Sequence, residues 1–106
     1  GDDVMLFSLQ GPLSFGAATG ISERMTLVRQ YRVLILDISQ VPHLGVTATL
    51  AIERIMQDAR SKQRQVLVAG AQGKVRSRLE QFGISGLYGS RQDAITKAYN
   101  WLHQTD

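Results

Sequence analysis

The spacing of apolar positions changes repeatedly along this chain, and each change marks an element. Val4 to Leu9, VMLFSL, is rich in strand formers, and Gln10-Gly11-Pro12 breaks it. Leu13-Ser14-Phe15 alternates and predicts a short second strand after that turn. From Gly16 to Arg29, Ala18, Ile21, Met25 and Val28 recur on one helical face. Val33 to Ile38, VLILDI, predicts a strand buried on both faces. A second helix is predicted from about Gly45 to Ser61. At about 100° per residue, Ala48, Thr49, Ile52, Ile55, Met56 and Ala59 share its inner side. Gln65 to Ala69, QVLVA, is another buried-type strand, and Gly70-Ala71-Gln72-Gly73 turns the chain. Val75, Leu79 and Phe82 then give a short helical face stopped by Gly83. Leu87-Tyr88 predicts a last short strand. Ser90 to Asp93 resembles a capping box with Asp in place of Glu, opening a final helix. Its expected core face is Ile95, Ala98, Tyr99 and Leu102, with Trp101 beside it and Ala94 near it.

The predicted order is β-β-α-β-α-β-α-β-α. That is an α/β pattern, with right-handed crossovers and a mixed, mostly parallel sheet on which helices pack. Two residues break the amphipathic rule. Val46 and Leu50 fall on the outer side of the second helix, with Glu53, Arg54 and Gln57, and suggest a contact surface.

The chain has 106 residues and predicts one domain, 1–106. A chain of that length buries roughly two thirds of its unfolded surface, so it needs no covalent staples. It has no cysteine, which removes disulfide and thiolate chemistry. No apolar run reaches the ~18 residues of a membrane span, and GDDVML lacks the form of a signal peptide. The first residue is not Met, and the expectation is a piece of a longer protein.

The net charge of +3 is uneven. Arg54, Arg60, Lys62, Arg64, Lys74, Arg76 and Arg78 have only Asp58 among them as an acid. Such a segment is either a solvated surface or an attractor for nucleic acid, anionic lipid or an acidic protein face. No aromatics interleave the charges as stacking platforms, so no nucleic-acid partner is expected.

Candidate chemistry is sparse. Gly70-Ala-Gln-Gly73-Lys74 lacks the spacing of a P-loop, and Val75 stands where the magnesium-binding hydroxyl would be. What remains there is a weak anion site of Gly73, Lys74 and Arg76 at a helix N-terminus. His43 and His103 have no accompanying acid cluster, so no metal is expected. Ser39 and Thr47 lack a base. Asp37, at a strand end, is expected to fix backbone N–H groups rather than to act as an acid. Neither a catalytic set nor a cofactor site is expected.

Asp37 to Glu53, DISQVPHLGVTATLAIE, resembles the central motif of STAS domains, the module named for sulfate transporters and anti-sigma factor antagonists. Members tend to read D-[LI]-S-x-V-x-x-[LIM]-D-S-S-G. Asp37, Ser39, Val41 and Leu44 match. The D-S-S-G positions are occupied by Gly45, Val46, Thr47 and Ala48. In the antagonist branch the first serine takes a phosphate, and here that position is Val46, without a hydroxyl. A second segment, Gln10-Gly-Pro-Leu-Ser-Phe-Gly-Ala-Ala18, resembles the G-x-L-F-F-A-N-A segment of STAS domains in SulP anion transporters. The resemblance implies a cytoplasmic, non-enzymatic module of a bicarbonate or sulfate transporter. Its implied partners are a second copy and the transmembrane part of the same transporter, without membrane insertion of its own. The expected contact residues are Val46, Leu50, Arg54 and Gln57. The alternatives implied are a free-standing anti-sigma factor antagonist and a nucleotide-sensing STAS module.

Overall fold

The apolar run Val33–Ile38 becomes the centre of the molecule. In the structure, a computed structural model that describes residues 3–10 and 31–105, it lies in strand β2 (Val33–Gln40). β2 pairs with β1 (Val4–Gln10) on one side and with β3 (Gln65–Ala69) on the other, both parallel. The two-residue β4 (Leu87–Tyr88) continues the sheet beside β3, also parallel. The strand order is β1-β2-β3-β4. The described strands are thus all parallel. The strand expected at Leu13–Phe15, which would make the sheet mixed, and the helix expected from Gly16 to Arg29 lie outside the described residues.

Among the described residues three helices follow the strands: α1 (Val46–Ser61), α2 (Gly73–Gln81) and α3 (Arg91–Thr105). A parallel sheet wound in one direction by right-handed crossovers carries its crossover helices on one face. α1 and α2 lie there, against Leu34, Leu36, Ile38, Val66 and Val68. α3 is not a crossover and takes the other face. Ala94, Ala98 and Leu102 pack there on Val33, Ile35, Leu67 and Ala69. Covered on both sides, β2 and β3 read as continuous apolar runs rather than as alternations.

α1 buries Ala48, Thr49, Ile52, Ile55, Met56 and Ala59, the set its periodicity predicts. Thr49 is tolerated in the core because its hydroxyl donates to the Gly45 carbonyl at 2.8 Å. The Ser90 hydroxyl accepts the Asp93 N–H at 3.1 Å, so the predicted cap opens α3. The core face of α3 differs from expectation. Tyr99 is 41% exposed, and Ala94 is fully buried in its place. Small residues let a helix lie close to a sheet, so the alanines face inward and the polar-tipped tyrosine turns to the flank.

Candidate functional site

The carboxyl ends of β2 and β3 meet in two loops that touch. Gly70, at φ +78°, closes β3, and a Cβ built on it would lie 2.6 Å from the Ser39 Cβ and 2.7 Å from the Ser39 Cα and N. Only glycine suits both the left-handed backbone and this approach. Around the contact lies an open cavity of about 390 Å3, lined by Ser39, Val41, Pro42, Gly70, Gln72, Lys74, Val75 and Gly89.

Asp37 stands just behind it, almost fully buried. One carboxylate oxygen accepts the Ser39 N–H at 3.0 Å, the Asx-type bond expected of it. The other accepts Nε of Arg91 at 2.8 Å and pairs with its terminal nitrogen at 2.6 Å. That terminal nitrogen also donates to the Ser8 hydroxyl at 3.0 Å. Ser8 and Asp37 are register partners on β1 and β2, so one guanidinium at the start of α3 ties two strands together. Arg91 is a residue that local sequence reading misses, because its partners are 54 and 83 residues away.

Burial works to raise the Asp37 pKa. The Ser39 backbone N–H, the Ser39 hydroxyl and Arg91 outweigh it, and the carboxyl is held below its ordinary 3.8. A group that ionises more readily folded than unfolded stabilises the fold above its ordinary pKa, and that contribution disappears as pH falls through and below it. Asp37→Asn is therefore expected to lower stability at neutral pH by about 1–2 kcal/mol, since the half-exposed arginine weakens the ion-pair part. The variant should also lose stability less steeply than the parent in acid. Urea unfolding across the acid range measures both effects.

Gly45, Val46, Thr47 and Ala48, the positions aligned above with D-S-S-G, lead into α1. Gly45 is extended at φ −78° and precedes the helix without any side-chain cap. Val46 and Thr47 are exposed on the first turn, whereas Ala48 is buried. Along the outer side of α1, Val46 and Leu50 are 48% and 47% exposed, and Arg54 and Gln57 are exposed beyond them. The outward ridge read from periodicity is present as a surface.

The anion candidates separate. Gly73 opens α2 with φ +56°, and Lys74 is exposed in its first turn. Arg76 is engaged elsewhere: Nη1 donates to the Ala71 carbonyl at 3.3 Å, and Nε lies 3.8 Å from Glu80. It closes the turn rather than offering its charge. His43 is exposed in the loop before α1. Among the described residues no group of histidines and acids is placed to hold a metal, and no helix is long and apolar enough to cross a membrane.

The parallel sheet with two crossover helices on one face is compatible with the STAS fold expected from the sequence. The chain belongs to the STAS domain family, whose model matches residues 1–94. Two relatives are bicarbonate transporters. The chain is 38% identical over 101 residues to bicarbonate transporter BicA of Synechocystis sp. (strain ATCC 27184 / PCC 6803 / Kazusa), covering 90% of this chain and 18% of the relative. It is 45% identical over 78 residues to BicA of Picosynechococcus sp. (strain ATCC 27264 / PCC 7002 / PR-6), covering 74% of this chain and 14% of that protein. The chain thus spans less than a fifth of the length of these relatives. Its fold is that of the SulP transporter STAS domain from Vibrio cholerae, with TM-score 0.84, 23% identity, and coverage of 96% of this chain and 85% of that one.

Proposed function

We propose that the chain, 1–106, is the single cytoplasmic STAS domain at the carboxyl end of a SulP-type anion transporter, with bicarbonate the favoured cargo. The observation that carries this is its identity with two bicarbonate transporters across most of its own length but only 18% and 14% of theirs. A piece of that proportion is an accessory module. In this reading it catalyses nothing and binds no cofactor. It sits at the cytoplasmic face of the membrane and serves assembly and regulation through protein contacts, with a second copy of itself and with the membrane-spanning part.

The α1 ridge is the surface we assign to the second copy. Val46 and Leu50 are apolar, exposed and one turn apart, with Arg54 and Gln57 continuing the row. A two-fold contact is the commonest way to cover such a patch. Tethering in a membrane raises the effective concentration of the second copy, so even a small contact suffices.

The gene upstream of Gly1 tests the reading. A series of apolar spans of about 20 residues each supports it, whereas an initiator Met beside Gly1 favours the free-standing antagonist. The antagonist reading also needs a phosphate acceptor, and the position that would carry it is Val46. No phosphorylation is therefore expected at Val46–Thr47 on incubation with ATP and a kinase that phosphorylates antagonist-type STAS domains. Intact mass measurement checks this, and a stoichiometric phosphate on Thr47 would revive the antagonist. The nucleotide-sensing alternative finds no P-loop in Gly70–Lys74, whose glycines are too close together.

A further inference from the structure

The loop before α1 and the first two turns of α2 enclose a second, smaller cavity of about 110 Å3. Its wall is Pro42, His43, Leu44, Lys74, Val75 and Arg78. Three of these six are basic or titratable nitrogen side chains from two different elements, and none is an acid. Two acids of the neighbouring helices are engaged elsewhere, since Glu80 faces Arg76 at 3.8 Å and Asp58 pairs with Lys62 at 3.1 Å, and Glu53 of α1 does not line the cavity. The side chains of His43, Lys74 and Arg78 have no hydrogen bond or ion pair among the described residues. Lys74 and Arg78 are also four apart on one helix, where like charges repel. Leu44 and Val75 back the cavity with buried apolar surface, which strengthens electrostatic attraction at its mouth.

We infer that this cavity binds a phosphoryl group, carried by a small phosphate compound or by a lipid headgroup. A phosphate has the charge to relieve the Lys74–Arg78 repulsion and the oxygen geometry that a guanidinium fork meets with two bonds. His43 adds a donor from the opposite wall. The larger cavity shares Pro42, Lys74 and Val75 with this one, so Lys74 stands where the two meet. The remainder of a phosphorylated ligand fits there, beside Ser39 and Gln72. The site differs from the one the sequence suggests: Arg78 and His43 replace Arg76, which is already engaged.

Titration of the chain with inorganic phosphate, followed by amide and imidazole NMR shifts, tests the assignment. Shifts should concentrate at His43, Lys74 and Arg78. Arg78→Gln and Lys74→Gln should each weaken binding by about tenfold or more. Arg60→Gln removes the same charge at the opposite end of α1 and should leave affinity unchanged. Lys74 is exposed, so its variant keeps the test open even if Arg78→Gln disturbs the fold. A parallel arm compares sedimentation with phosphatidylcholine vesicles with and without phosphatidylglycerol. Binding to the anionic vesicles that needs the same residues assigns the phosphate to a lipid, and binding of inorganic phosphate alone assigns it to a soluble compound. No localised shifts and no vesicle binding, or equal weakening by Arg60→Gln, would overturn the site.

Discussion

Leu36→Asp should abolish the folded state. Leu36 has no solvent exposure in β2 and faces the layer formed by α1 and α2. Burying that leucine contributes about 2–3 kcal/mol, and the substitution forfeits it. A carboxylate in its place meets no cation and no donor, and an unpaired buried charge costs several kcal/mol more even after its pKa shifts. Together these exceed the lower end of the roughly 5–15 kcal/mol margin by which domains of this kind are stable. Far-UV circular dichroism and urea titration should find no cooperative transition. Leu50→Asp on the outer side of α1 is the control, and should change stability by no more than about 0.5 kcal/mol. A cooperative Leu36→Asp protein of near-parental stability would mean that β2 is not a central strand.

Gly70→Ala should be the most damaging single-methyl change in the described chain. At φ +78° an alanine costs about 1 kcal/mol in backbone strain alone. Its Cβ would also lie 2.6–2.7 Å from Ser39 atoms, two of them backbone, so no side-chain rotation relieves the clash. Moving the loop would disturb the Ser39 N–H bond to Asp37 and, through it, the Arg91 anchor. The expected loss is about 3 kcal/mol or more, read as a lower urea midpoint with an unchanged slope. Gly45→Ala is the contrast. Its φ is −78° and a Cβ there meets nothing within 4 Å, so the change should be close to neutral.

Features that depend on spacing within one element are legible in the amino-acid sequence. The inward set of α1 and its outward Val46–Leu50 pair follow from a helical period. The two-sided burial of β2 and β3 follows from their unbroken apolar runs. Hydrophobicity alone misleads at α3, where close helix–sheet contact selects Ala94 over Tyr99. Gly70 reads as a turn glycine, but its approach to Ser39 depends on two strands lying side by side. Arg91 and Asp37 meet only because α3 starts beside the carboxyl end of β2 before it crosses the sheet. Likewise, His43 and Arg78 share a cavity through the packing of two elements, and no local pattern announces it.

Under the proposed function, the module acts through protein contact at the α1 ridge, and Val46 and Leu50 are its exposed apolar pair. If the chain belongs to a bicarbonate transporter as proposed, the decisive measurement is bicarbonate uptake by the full-length protein carrying Leu50→Glu. The substitution places a charge in the exposed pair and leaves the buried side of α1 untouched, so folding and expression should match the parent. Uptake should be largely lost at equal protein level. Uptake equal to that of the parent would contradict the proposed contact and remove the α1 ridge from the mechanism.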